Sequence, residues 1–311
     1  MMQKQTQRQI PNLSKIEHIV THNGVFHADE CFAIAFLNIA AGRHPANEDL
    51  FDVIRVNNTD VDQYKDREDC IIIDIGDGEF DHHSNNNKEY RQYSRKGSDG
   101  EKEYKRYYYA SFGKVVRAFH TLIDAIADDR SYKFFDRNFV CKIDGYDNGD
   151  RTYYSDFSNL INEMNPVWNA DVIMVKEDVS YNFMDAICFC MFIISKKLEV
   201  IKASKDADVY LAEAKKNEKN HILILETYIP YIGKLNPDTE YVIFPSSREK
   251  GWNLSVCKNE IGEFIKPLPK EWYGFNREPN PPVEGLLFCH QSGFLAVFDT
   301  LENAVKAVTT S

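Results

Sequence analysis

Two histidines and two adjacent acids crowd the stretch THNGVFHADE at residues 21–30, between the apolar runs IEHIV and CFAIAFL. Further along, Asp74 closes CIIID ahead of a glycine turn, Asp81-His82-His83 follows at once, and IDGYDNGD supplies Asp144 and Asp147. Taken singly, most of these groups have a plain use. Acids in a first helical turn answer the helix dipole, Asp before a glycine turn ends a strand, and IDGYDNGD reads as a helix stop. Adjacent imidazoles have no common stabilising role. As a set, carboxylates with imidazoles and no thiolate suit Mn²⁺, with Mg²⁺ or another divalent cation as the alternative, better than a structural zinc. Two such cations ~3.5–4 Å apart need about this many ligands and one bridging carboxylate; the pair lowers the pKa of a shared water and neutralises a phosphate under attack. His22, His27, Asp29, Asp74, Asp81, His82, His83, Asp144 and Asp147 are the metal-type side chains these places concentrate.

The elements that must position them alternate. IEHIV has the short β-branched character of a core strand, and residues 28–41 have the length and apolar density of a buried helix. FDVIRVN and CIIIDIG are further strands, so the first half predicts a parallel sheet covered by helices. The clusters then fall at strand ends, the rim where open α/β sheets bind ligands. A long helical pattern over 178–219 reads as a connector. Beyond it, HILILE, EYVIFPS, WNLSVCK and GLLFCHQSGFLAVF are strand-like and TLENAVKAV closes as a helix, a second α/β domain from residue 220 to 311. Residues 16–177 form the expected first domain and residues 1–15 a disordered leader rather than a targeting segment.

With 311 residues, 43% of them hydrophobic, the chain can fill two cores, and no apolar run is long enough to span a membrane. Seven cysteines without paired spacing read as reduced core residues and predict an intracellular protein, in the cytoplasm first, with the nucleus or mitochondrion as alternatives. A net charge of −11 argues against coating long nucleic acid. It leaves room for a short anionic substrate held by bound cations.

Residues 84–109 break the pattern with seven Lys or Arg, four acids and six tyrosines, and read as a long surface loop. Basic residues interleaved with aromatics also grip single strands. Ser111 and Gly113 stand where ASFGKVV opens a helix, so their N–H groups are candidates for a phosphate. Arg248 and Lys258 in the second domain are candidate phosphate contacts.

THNGVFHADE, DIGDGEFDHHS, IDGYDNGD, LINEMNPVWN and FCHQSGF resemble, in order, the signature blocks of the melanocyte-proliferating-gene family of the DHH phosphoesterase superfamily, over residue 16 to the end. The resemblance implies a DHH-type parallel-sheet domain, a smaller C-terminal domain and an active site in the cleft between them. It implies a divalent-metal-dependent phosphodiesterase, in this family a 3′–5′ exonuclease acting on RNA. By motif, His22, His27 and Asp29 take the first metal-binding block, Asp74 a bridging position, His82 a ligand position and His83 a place nearer the substrate phosphate. Asp144 takes the fourth block with Asp147 close behind, and His290 matches the histidine of the final block as a substrate contact. Two departures stand out. Only DGEF separates Gly76 from Asp81, where the family carries an insertion, and Leu295-Ala296-Val297 stands where it has a glycine pair.

The function expected is hydrolysis of short single-stranded RNA to nucleoside monophosphates, with Asp74 and His83 as catalytic residues. Hydrolysis of a small phosphoanhydride or cyclic dinucleotide is the enzymatic alternative. A non-catalytic metal- or nucleotide-binding protein is the other.

Overall fold

The computed structural model describes residues 11–83, 89–96, 101–150, 155–169, 172–248 and 250–309, with side chains 95–96 and 172–180 left aside. The chain is mixed α/β and divides into two compact units, Met1–Ile201 and Lys202–Ser311.

In the first unit, β1 (His18–His22) lies between β2 (Asp52–Val56) and β3 (Cys70–Ile72), all parallel. His18 pairs with both Asp52 and Cys70. Both faces of β1 are buried: Ile19 packs with Ile71 and Ile73 in the main core, while Val20 joins Val56, Val61 and Ile75. Such β-branched runs are what a doubly covered parallel sheet demands.

The covering helix α1 (Ala28–Ala40) is buried continuously from Ala28 to Asn38. His27, in extended conformation, precedes it, and its N–H donates to the Glu30 carboxylate at 2.9 Å, a return bond that stabilises a helix start. Gly42, at φ +72°, ends it. Phe32 and Phe36 meet Phe112 of α2 (Ser111–Phe119) at centroid distances of 5.4 and 6.4 Å. Burying each such ring stabilises the fold by about 1.5–3 kcal/mol.

The polar stretch after His83 is not wholly loop. Tyr90–Lys96 (β4) and Lys102–Tyr108 (β5) form an antiparallel ribbon, and residues 84–88 and 97–100 of that stretch lie outside the described residues. Cross-strand pairs hold it, among them Tyr90 and Tyr108 at 6.1 Å between centroids. Then α3 (Asp129–Phe135) runs through a wider π turn, Asp136–Val140, into α4 (Cys141–Asp147), followed by α5 (Asp156–Glu163) and the long α6 (Val172–Ala214). The division between the units falls inside α6, because Leu211 packs with the second core. Of the expected leader, residues 1–10 lie outside the described residues, while Leu13–Lys15 forms a turn with Leu13 buried.

In the second unit, β6 (Ile222–Ile224), β7 (Tyr241–Pro245), β8 (Trp252–Val256), β9 (Leu286–Cys289) and β10 (Leu295–Phe298) are ordered β6-β7-β8-β10-β9. Only β6 and β7 pair parallel; α7 (Leu301–Thr309) packs on the sheet. All seven cysteines are free. Among the described residues no helix is long and apolar enough to cross a membrane.

Candidate active site

β1 delivers His22 at its carboxyl end. Its Nδ1–H donates to the Asn23 carbonyl at 3.0 Å, which turns Nε2 toward Glu30 Oε1 at 3.1 Å and Asp74 Oδ2 at 3.4 Å. The backbone between His22 and α1 is held from two sides. Arg55 donates to the carbonyls of His22 and Gly24, and Asn165, from the LINEMNPVWN block, pairs with both the N–H and the carbonyl of Phe26 at 2.9 and 2.8 Å. His27 projects from this segment, exposed, with its ring 5.7 Å from that of His22.

Asp74 follows β3 with φ +59°, a conformation that asparagine and aspartate tolerate better than other side chains, and it is 3% exposed. The four-residue DGEF segment closes a tight turn. The Asp81 carboxylate accepts from the N–H groups of Asp77 and His83 at 2.8 and 3.0 Å, and the buried Lys114 ammonium donates to the Asp81 carbonyl at 2.8 Å. Despite the short spacing, the histidines reach the aspartates: His82 Nε2 lies 2.9 Å from Asp147 Oδ2, 3.3 Å from Asp74 Oδ1 and 3.6 Å from Asp29 Oδ2. His83, more exposed, bonds through Nδ1 to Asp81 at 2.9 Å and lies 3.6 Å from Asp74 Oδ1.

Six of the seven side chains that the resemblance implies as ligands thus converge, with Asp74 central. Its Oδ2 faces the His22, His27 and Glu30 group; its Oδ1 faces His82 and His83; His27, Asp29 and Asp147 make a third group, and within each group the ligand atoms lie within 4.8 Å of one another. Asp29 Oδ1 and Glu30 Oε2 are buried without a hydrogen-bond partner. Buried polar atoms left unpaired at one spot are costly, and divalent cations satisfy this donor set. Without a cation, the carboxylates charge the imidazoles instead. Burial opposes the charge on His22 and His82, yet bonds to Asp74 and Glu30 raise His22 to about 11, and bonds to Asp147 and Asp74 raise His82 to about 10. Burial and the facing charges of Asp147 and Asp74 push Asp29 well above the carboxylate range.

Asp144 does not join them. Arg91 of β4 donates to its Oδ2 from both terminal nitrogens and sets Nε 2.9 Å from Asp136 Oδ2, beneath the Tyr109 ring, while Gly113 N–H donates to Asp144 Oδ1 at 3.0 Å. Burial works against the Arg91 charge, but Asp144 and Asp136 more than offset it and raise its pKa. Asp147, one helical turn on, takes the site-facing direction. The N–H groups that open α2 are likewise committed: Ser111 N–H donates to Asp29 Oδ2 at 3.2 Å and its hydroxyl to Asp74 Oδ1 at 2.7 Å, so this helix start orients carboxylates instead of standing open to a phosphate. Gly113 admits nothing larger, because a Cβ there would meet the Asp144 carboxylate and stand 2.7 Å from the Tyr109 ring.

Glu30 is the residue that sequence reasoning missed: fully buried, its carboxylate both faces His22 and accepts from the His27 N–H that starts α1. Its adjacency to Asp29 was the available signal. In the second unit Arg248 and Lys258 are exposed, and exposed His290 bonds to Ser292 through Nδ1 with Phe294 4.6 Å away. Of Leu295-Ala296-Val297, the last two are buried in β10.

The model of the MYG1 exonuclease family, described as Uncharacterised protein family (UPF0160), matches residues 18–311. The chain belongs to this family. MYG1 proteins of Schizosaccharomyces pombe and Dictyostelium discoideum are 24% and 25% identical to it, covering 94% and 92% of this chain and 97% and 94% of their own. The MYG1 exonuclease of Rattus norvegicus is 24% identical, covering 95% of this chain and 84% of its own. A solved structure of a pGpG-specific phosphodiesterase from Vibrio aligns over 95% of this chain and 96% of that one at 12% identity, with a TM-score of 0.31, too distant to carry an argument. The family model runs from the first strand to the last helix, so both units belong to the family pattern.

Proposed function

We propose that this MYG1-family chain is a divalent-metal-dependent phosphodiesterase that removes nucleoside monophosphates from the 3′ end of short single-stranded RNA, with two Mn²⁺ ions. Family membership makes it a hydrolase of phosphoester bonds. The observation that carries the metal reading is Asp74, whose two oxygens face separate sets of imidazoles, with unpaired buried carboxylate oxygens on either side. His22, His27, Asp29, Glu30, Asp74, His82 and Asp147 would hold the cations. When bound, such ions supply Lewis acidity, lowering the pKa of water and neutralising phosphate charge.

The chain's own residues prepare that chemistry. Ser111 and the Asn23 carbonyl fix the orientation of Asp74 and His22. Asp81 fixes the tautomer of His83 through Nδ1, so Nε2 is the nitrogen proposed to meet the substrate phosphate. Arg248, Lys258 and His290 remain proposed substrate contacts of the second unit.

The test is hydrolysis of a panel of single-stranded RNA, dinucleotides, cyclic dinucleotides and pyrophosphate with added Mn²⁺. Release of mononucleotides from RNA that is lost in Asp74→Asn is the expected result. Undiminished turnover in Asp74→Asn refutes the site assignment, and cleavage of pyrophosphate or cyclic dinucleotides alone refutes the RNA reading.

A further inference from the structure

The ribbon of β4 and β5 presents two unlike faces. Three odd-numbered residues turn to the body of the first unit: Arg91 to Asp144 and Asp136, Tyr93 to Asp136, and Lys105 to Asp150 at 3.0 Å. The antiparallel register sets Tyr90 opposite Tyr108 and Ser94 opposite Tyr104, so the even-numbered residues share the other face. That face lies open to solvent. Tyr104 is 66% exposed, Tyr90 and Tyr108 are each 44% exposed, and Lys102 and Arg106 are exposed beside them, the Arg106 guanidinium 4.7 Å from the Tyr90 ring centre. Among its described side chains it carries no acid, although the chain as a whole has a net charge of −11.

We infer that this face is a platform for single-stranded RNA, on which bases stack against Tyr90, Tyr104 and Tyr108 while Lys102 and Arg106 meet phosphates. The inference rests on the proposed function and adds to it a surface outside the ligand cluster. Charge complementarity selects the occupant: tyrosines spaced between cations, with no carboxylate among them, fit a polyanion with unpaired bases. Position selects its direction. Tyr108 ends β5, and only Tyr109 and Ala110 separate it from Ser111, whose hydroxyl touches Asp74. At ~3.5 Å per residue the near end of the platform lies within about 10 Å of the cluster. Strands of seven residues give it a length of about 24 Å, enough for a strand of roughly four nucleotides, the lower end of single-strand footprints. A strand whose 3′ end enters the cluster would run its 5′ side outward along the ribbon.

The test uses the full-length protein with EDTA, so that turnover does not intrude, and a fluorescein-labelled RNA of about eight nucleotides read by anisotropy. Tyr104→Ala should weaken binding about 5- to 50-fold, and Tyr104→Phe, which keeps the ring, should not. Lys102→Ala with Arg106→Ala should weaken it too and flatten the salt dependence by about 1.4 in slope, near 0.7 per phosphate contact. A dinucleotide competitor, too short to span the platform, should bind all variants equally. Unchanged RNA affinity in Tyr104→Ala, or an equal loss for the dinucleotide, overturns the platform. Hydrolysis of a dinucleotide by the native protein, which tests the phosphodiesterase reading separately, is indifferent to the outcome.

Discussion

Replacing Arg91 by methionine keeps an apolar stem and deletes the guanidinium that serves two buried acids. Asp144 is fully buried and Asp136 is 1% exposed, so neither can turn to water when the cation goes. Removing one partner of a buried pair costs about 3–5 kcal/mol, most of it the cost of the charge left behind. The first unit spans Met1–Ile201, and for domains of that size each kcal/mol is worth ~2–4 °C. The melting temperature of Arg91→Met should therefore fall by about 6–20 °C, read by circular dichroism. Adding Asp144→Asn, which keeps an acceptor for Gly113 N–H but drops the charge, should recover part of that loss. The chain from Gly113 back to Ser111 also predicts weaker Mn²⁺ binding in Arg91→Met, measured by calorimetry. A melting shift within about 1 °C, or a further loss on adding Asp144→Asn, refutes the reasoning.

Glu30→Gln, which removes the charge of one proposed ligand, should lower Mn²⁺ affinity by at least the ~10–100-fold typical of losing a group that only supports metal ligands, while the circular dichroism of the helices stays unchanged. Gly113→Ala forces Tyr109 and Asp144 aside and should destabilise the protein by about 1–3 kcal/mol in urea unfolding, with Mn²⁺ affinity reduced alongside. His22 and His82 carry pKa values raised above the ordinary 6.5 in the metal-free site, to about 11 and about 10. Their stabilising contribution is complete below pH 6.5 and is lost as pH climbs through those values, so the metal-free melting temperature should decline from pH 7 to 10.5. Binding Mn²⁺ should expel those protons, making affinity rise with pH and binding enthalpy depend on the buffer's ionisation enthalpy.

What could be read directly from the residues was whatever repeats an apolar signal. IEHIV, FDVIRVN and CIIID announce buried parallel strands, and the unbroken apolar run after Glu30 announces a helix buried on every side. The meeting of these side chains followed because imidazoles and carboxylates at successive strand ends must gather at one rim of such a sheet. The ribbon gave no comparable signal. Its strands are polar on both faces, and what holds them is Tyr–Tyr pairing and a buried arginine, neither of which has an apolar alternation. Asp144 and Asp147 sit one helical turn apart, and the wider turn at Asp136–Val140 adjusts the helix ahead of both. Which acid faces the cluster depends on that phase and on Arg91, a partner 53 residues away. Glu30 and Lys114 are charged residues at 0% and 1% exposure, and burial of a charge is set by tertiary partners that no local pattern encodes.

The left-handed backbone at Asp74 decides which replacement is informative there. Alanine would add a steric penalty of about 1–2 kcal/mol to the loss of a carboxylate, and glycine would free the backbone torsions at that point. Asparagine alone keeps both the shape and the rare torsion while erasing the charge. At this one position, then, an amide swap separates electrostatics from geometry, and an alanine scan would confound them.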